Sequence, residues 1–233
     1  MTAPLVVVAH GSRDPRSAAT IRAQVAEIGA LPSFLDLSEP LLTDVLRGLR
    51  EQGHPEAVVV PLLLGRAYHA RVDLPAVVRA VPGLRVSVAD VLGVDPVLEE
   101  VALDRLAETG ADSADPELGV VLAAVGSSRE PANEAVKELA RRWDKRFPMS
   151  VAPAFASATK PDVPAAIAKL RARGARRFAV ASWFLAPGLL PDRIASLARE
   201  AAPGVLLADP LAPDSRVGEL ILCRYASAPA AAA

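Results

Sequence analysis

The apolar positions of this chain fall in short bursts separated by longer amphipathic stretches. Leu5-Val6-Val7-Val8-Ala9 is one burst, rich in β-branched residues and closed by His10-Gly11. Val58-Val59-Val60-Pro61-Leu62-Leu63-Leu64, closed by Gly65, is another. A continuous apolar run of this length ended by glycine reads as a strand covered on both faces. Shorter strands are predicted at Phe34–Leu37 and Arg85–Ala89, and helices near residues 17–28, 41–52, 74–80 and 95–109. Strand and helix alternate with turn residues between them. That pattern predicts right-handed βαβ units and a parallel sheet, an α/β fold.

The polar, turn-rich segment from Thr109 to Pro116 reads as a linker. Beyond it the grammar repeats. Gly119–Val125 is a second opening strand, ended by Gly126-Ser127-Ser128-Arg129 and followed by a helix over 132–146. Ser150–Phe155 answers to Pro32–Leu37, Phe178–Leu185 to Val58–Leu64, and Lys160-Pro161 to Glu39-Pro40. A weak repeat spanning half the chain predicts two similar α/β domains, residues 1–112 and 117–226, with the alanine-rich 227–233 a frayed tail. Duplication within one chain makes a monomer plausible, though the sequence does not fix the oligomeric state.

The repeat also acts as an internal control. His10 corresponds to Val125 and His69 to Leu190, while Asp36 corresponds to Ser157 and Glu39 to Lys160. A scaffold that needed these groups for stability would need them twice. Only the first half has them, so they point to function there, and the second half reads as a lid or binding wall. Ligands of parallel α/β sheets collect at the carboxyl ends of strands, where both histidines fall. Imidazole with a carboxylate can hold a divalent metal or act as a base near neutral pH. His54, in the turn Gln52-Gly53-His54-Pro55, is expected to be solvated.

Other chemistries lack their residues. No G-x-G-x-x-G or P-loop follows a strand, and no H-E-x-x-H or cysteine pair is present. Ser12 is not set in a G-x-S-x-G elbow. Ala9 stands before His10-Gly11 where phosphohistidine enzymes place an arginine. With a net charge of −1 and 52% hydrophobic residues, the chain is globular and shows no basic excess for nucleic acid or membrane. A single cysteine, Cys223, excludes an internal disulfide framework. The N-terminal residues lack a secretory pattern and no run reaches membrane-spanning length, so a cytoplasmic protein is expected.

Three stretches together resemble the sirohydrochlorin chelatases, the ATP-independent class II chelatases of siroheme and cobalamin synthesis. They are Ala9-His10-Gly11-Ser12-Arg13, Ser33-Phe34-Leu35-Asp36-Leu37-Ser38-Glu39-Pro40, and Val60-Pro61-Leu62-Leu63-Leu64 followed by His69 and Asp73-Leu74-Pro75. They occur in the family's order and spacing. The duplicated layout with a degenerate second half is similar to the family's two-domain members. The resemblance implies two chelatase-like domains with a cleft between them and insertion of Fe2+ or Co2+ into a tetrapyrrole, with no permanently bound cofactor. It places the active-site histidines, as catalytic groups and metal ligands, on His10 and His69. It places the family's glutamate on Asp36, one methylene shorter, with Glu39 able to share or replace its role. Ser12, Arg13, Arg66 and Arg129 are the candidate contacts to the carboxylate-rich substrate, since guanidinium pairs bidentately with carboxylate. The competing reading is a non-catalytic metal or tetrapyrrole carrier on the same scaffold.

Overall fold

The computed structural model describes residues 3–65 and 73–229. Strands β1 (Leu5–Ala9), β2 (Leu31–Phe34), β3 (Glu56–Pro61) and β4 (Arg85–Val88) form one parallel sheet in the order β2-β1-β3-β4. Strands β5 (Leu118–Ala124), β6 (Ser150–Phe155), β7 (Arg177–Ser182) and β8 (Leu206–Leu207) form a second with the same layout, β6-β5-β7-β8. In each sheet the first strand in sequence is central. Val6, Val7 and Val8 are almost fully enclosed, as are Val120, Val121 and Leu122. Covering a strand on both faces is what a parallel sheet with helical crossovers requires, and it explains the unbroken apolar runs.

The helices are α1 (Pro15–Glu27), α2 (Leu42–Glu51), α3 (Asp73–Arg79), α4 (Pro96–Glu108), α5 (Glu130–Arg146), α6 (Val163–Ala172), α7 (Leu189–Ala201) and α8 (Ser215–Ala226). Their starts follow from side-chain chemistry. Asp14 caps α1 by accepting the Arg16 N–H at 3.0 Å, with Pro15 in the first turn. Asp162 caps α6 and Asp214 caps α8 in the same manner. Each cap satisfies one of the orphan N–H groups of a helix start. Among the described residues no helix is long and apolar enough to cross a membrane.

One expected strand is displaced. Phe34–Leu37 was the predicted span, but β2 is Leu31–Phe34. The ladder to β1 does continue, through Leu35 N–H to the Ala9 carbonyl (3.0 Å) and Asp36 N–H to the His10 carbonyl (3.1 Å). Leu37 then turns to φ 55 and leaves the strand direction. The predicted strand is half strand and half the loop that carries Asp36.

Packing divides the chain differently from the repeat. The compact units are Met1–Asp95 with Ala212–Ala233, and Pro96–Leu211, whereas the sequence halves separate at 112–117. Each unit takes in the last helix of the opposite half of the sequence. In the first unit α8 packs on α1 and β3. There Arg224 donates to the Val91 and Leu92 carbonyls and pairs with Asp95 at 2.8 Å, and the Tyr225 hydroxyl donates to the Ala3 carbonyl. In the second unit Glu99 of α4 accepts from the buried Trp143 indole at 2.8 Å and from Arg142 at 2.7 Å. Helix α4 begins directly after the boundary residue Asp95, so its apolar face, Leu98, Val101, Ala102 and Leu106, is buried with the second sheet. Of the tail, Ser227–Pro229 continue from α8, with the Ala228 N–H on the Tyr225 carbonyl; residues 230–233 lie outside the described residues.

This arrangement predicts where a core deletion in α8 is felt. Ile221 is fully enclosed, so Ile221→Ala should cost about 2–5 kcal/mol. Hydrogen exchange should show faster amide exchange in β1 and β3 with β5 and β6 unchanged. Equal loosening of both sheets would contradict the assignment of α8 to the first unit.

Candidate active site

His10 is the first residue beyond β1, and Asp36 is the second beyond β2. The two loops touch because the ladder runs past the strand ends. Gly11 sits at φ +99, and a Cβ there would lie 1.7 Å from the Asp36 carbonyl oxygen. Only glycine allows that approach. It brings Asp36 Oδ1 to 3.0 Å from His10 Nδ1. The shorter aspartate side chain reaches the imidazole because its backbone is already hydrogen-bonded to the His10 carbonyl.

The pair is open to solvent, His10 at 45% and Asp36 at 54% exposure. A pair this exposed contributes about 1 kcal/mol or less to stability, so stability does not account for it. When the Nδ1–H donates to the carboxylate, the neutral ring carries its lone pair on Nε2. That is the orientation by which carboxylates prepare histidines for metal or proton chemistry.

The other candidates fall as follows. The Ser12 hydroxyl accepts the Asp14 N–H at 3.1 Å and so supports the start of α1. Arg13 is exposed beside it. Asp14 pairs with Arg16 at 2.5 Å, and that hydrogen bond holds the Asp14 carboxyl below the usual carboxylate range. The cap therefore stays ionised at neutral pH, and its contribution to stability is lost only as the pH falls from the usual carboxylate range down through the lowered value of Asp14. Glu39 is exposed and precedes the cis bond to Pro40; its contact is through its backbone carbonyl, which accepts from Arg22 at 2.5 Å. His69 and Arg66 lie outside the described residues. Among the described residues no group of three or more His, Cys, Asp or Glu is placed to hold a metal. Arg129 is exposed at the start of α5 in the second unit. There it takes the place of Asp14, since its N–H donates to the Ser127 hydroxyl as the Asp14 N–H does to Ser12. His54 is half-buried in its turn and bonded through its N–H to the Leu49 carbonyl.

The second unit reproduces this backbone with other side chains. Gly126 has φ +86 and faces the Ser157 carbonyl at 2.1 Å from a built Cβ. The Ala156 and Ser157 N–H groups donate to the Ala124 and Val125 carbonyls. Ala158 repeats the positive φ of Leu37, and Lys160-Pro161 repeats the cis bond of Glu39-Pro40. At the His10 position stands Val125, 45% exposed. The Ser157 hydroxyl, in the place of Asp36, donates to the Val125 carbonyl.

The model of the CbiX family matches residues 4–109 and 119–228, one copy in each half of the sequence. The chain belongs to the CbiX family. A relative, the sirohydrochlorin ferrochelatase of Bacillus subtilis, is 28% identical over 207 residues, covering 83% of this chain and 78% of that protein. The sirohydrochlorin cobaltochelatase of Priestia megaterium is 24% identical over 209 residues, covering 84% of this chain and 68% of the relative. Among solved structures, SirB from Bacillus subtilis with Fe3+ superposes with a TM-score of 0.77 at 26% identity, covering 97% of this chain and 95% of SirB.

The close approach at Gly11 gives a direct test. Gly11→Ala adds a clash with the Asp36 carbonyl to the cost of a left-handed residue, which is about 1–2 kcal/mol. Gly53→Ala, at φ +84 with nothing within 4 Å, carries the conformational cost alone. Gly11→Ala should lower the thermal midpoint clearly more than Gly53→Ala. Equal midpoints would mean that the loops do not touch in solution.

Proposed function

We propose that this chain is a sirohydrochlorin chelatase that inserts Fe2+ or Co2+ into the tetrapyrrole, with its working groups in the first unit. The observation that carries the reading is the exposed His10–Asp36 pair, in a CbiX-family chain whose second half has Val125 and Ser157 instead.

Insertion exchanges two pyrrole N–H protons for one divalent cation, which must also lose its water ligands. In this reading His10, its Nδ1–H held by Asp36, offers Nε2 either to the entering metal or to a pyrrole proton. His69 supplies the second imidazole, so that one ring can ligate the metal while the other takes a proton. The Asp36 carboxylate fixes the ring and stabilises positive charge that builds on it. Glu39, exposed on the same loop, is the carboxylate that would share or replace the role of Asp36. Arg13, Arg66 and Arg129 are assigned to the substrate's peripheral carboxylates, where guanidinium binds bidentately. Imidazole and carboxylate accept both metals, and the named relatives divide between the two.

The test is loss of the metal-free sirohydrochlorin spectrum with Fe2+ or Co2+ at sub-stoichiometric protein. Many turnovers per chain are expected. A carrier would bind one equivalent and stop, and that outcome would sink the enzymatic reading. His10→Ala and His69→Ala should each lower turnover by about 10²–10⁴, the usual worth of a positioned acid–base group. Asp36→Asn should lower it less, with little change in thermal midpoint, because the exposed pair contributes little to stability. Near-full turnover in both histidine variants would remove the site assignment. Titration with Co2+ should show one tight site per chain, since the second unit has neither imidazole nor carboxylate at the matching positions.

A further inference from the structure

The loop that carries His10 is fastened by a group outside the His10–Asp36 pair. The Ser38 hydroxyl accepts the Ser12 N–H at 3.1 Å and donates to the Ser12 carbonyl at 3.0 Å. One side chain thus satisfies both backbone groups of a residue 26 positions away. Ser38 is itself set by its N–H on the Asp36 carbonyl at 2.6 Å. The strand ladder between the two loops ends with Asp36 N–H on the His10 carbonyl. The hydroxyl then extends the pairing two residues further, across Gly11, to Ser12. His10 is therefore tied to the Asp36 loop on both sides: by its own carbonyl before it reaches Gly11, and through Ser12 after it.

The second unit shows that this fastening is not a requirement of the fold. There the same two backbone groups, Ser127 N–H and carbonyl, are taken by the buried amide of Asn133, both at 2.8 Å. Asn133 belongs to α5, so the loop with Val125 is tied to its following helix. Thr159 occupies the place of Ser38, its N–H on the Ser157 carbonyl. In the first unit the residue that answers to Asn133 is the buried Ala18, which has no polar side chain to offer. Both solutions satisfy the loop. Only the one in the unit with the imidazole–carboxylate pair joins the two loops that carry it.

We propose that Ser38 is a positioning residue for the His10–Asp36 pair, holding the imidazole at hydrogen-bond distance from the carboxylate by clamping the loop of one to the loop of the other. The proposal rests on the chelatase reading of that pair. Ser38 touches neither metal nor macrocycle in this role. Its effect passes through His10, and misplacement of a positioned group by about 1 Å can cost up to about a hundredfold in rate.

The experiment compares wild type, Ser38→Ala and Ser38→Thr for metal insertion into sirohydrochlorin, each also in the His10→Ala background. Ser38→Ala should lower kcat by about tenfold with KM for the tetrapyrrole within about twofold of wild type. Ser38→Thr keeps the hydroxyl and should recover kcat to within about threefold of wild type. In the His10→Ala background Ser38→Ala should add nothing, because groups acting as one unit are not additive. A kcat unchanged by Ser38→Ala, an equal loss in Ser38→Thr, or a full further tenfold loss without His10 would overturn the proposal. A readout that does not need turnover is the imidazole NMR spectrum. The His10 ring signals should shift or broaden in Ser38→Ala while those of His54 stay in place. Unmoved His10 signals would overturn the proposal even in an active enzyme. If wild type shows no turnover, the chelatase reading fails by itself and the ring signals still decide whether Ser38 positions His10.

Discussion

The first unit depends on one close contact, the passage of the Gly11 backbone over the Asp36 carbonyl. Two neighbouring parallel strands ordinarily diverge once their ladder ends. Here the ladder is carried past the strand ends by Leu35 and Asp36 N–H groups, and the chain can follow only because position 11 has no Cβ. Both members of the His10–Asp36 pair inherit their positions from that contact. His10 stands where it does because its carbonyl is the last rung. Asp36 faces it because its N–H is the other half of the same rung. The Ser38 hydroxyl then closes the loop behind Gly11.

The second unit separates what the scaffold needs from what the chemistry needs. It keeps the glycine, the last rung, the positive φ one residue after the rung and the cis proline bond. It does not keep the imidazole or the carboxylate. The geometry is therefore a property of the backbone, reached by two sequences that agree at few side chains. An exposed hydrogen-bonded pair adds too little stability to be retained for folding. Its presence on one copy of a duplicated backbone, and its absence from the other, is an argument for chemistry that neither copy alone would supply.

The architecture was legible in the sequence wherever burial enforces a pattern. Val6–Val8 and Val120–Leu122 are enclosed on both faces, and unbroken apolar runs admit few other readings. Asp14, Asp162 and Asp214 cap their helices, but the apolar pattern alone did not locate those starts: the first helix was expected near 17–28 and begins at Pro15. The second strand was misplaced because Phe34-Leu35-Asp36-Leu37 has strand-like residues, while the turn at Leu37 is imposed by a rung on another strand. The packing of α4 and α8 in the units of the opposite halves was not legible either. A repeat shows which segments are alike, and helices that are alike can exchange places without changing the pattern. His10 and Asp36 stood out in the sequence as site candidates because they break the repeat, and their contact at 3.0 Å then follows from the last rung. Ser38 carried no signal of that kind. A serine in a turn is ordinary, and its partner is a backbone group 26 residues away that no spacing rule reaches.

Arg129 shows how far the repeat can be pressed. Aligned by its preceding glycine and serines, it resembles Arg13. Aligned by hydrogen bonds, it answers to Asp14, because both N–H groups seek the hydroxyl of the serine two residues earlier. The second alignment has the physical content, since it identifies the residue that begins a helix. Asp14 begins α1 with a carboxylate that caps it, whereas α5 begins at Arg129 without a side-chain cap, the nearby polar contacts being made by Asn133 instead. An arginine at that point cannot accept an N–H and gains nothing from the positive end of the helix.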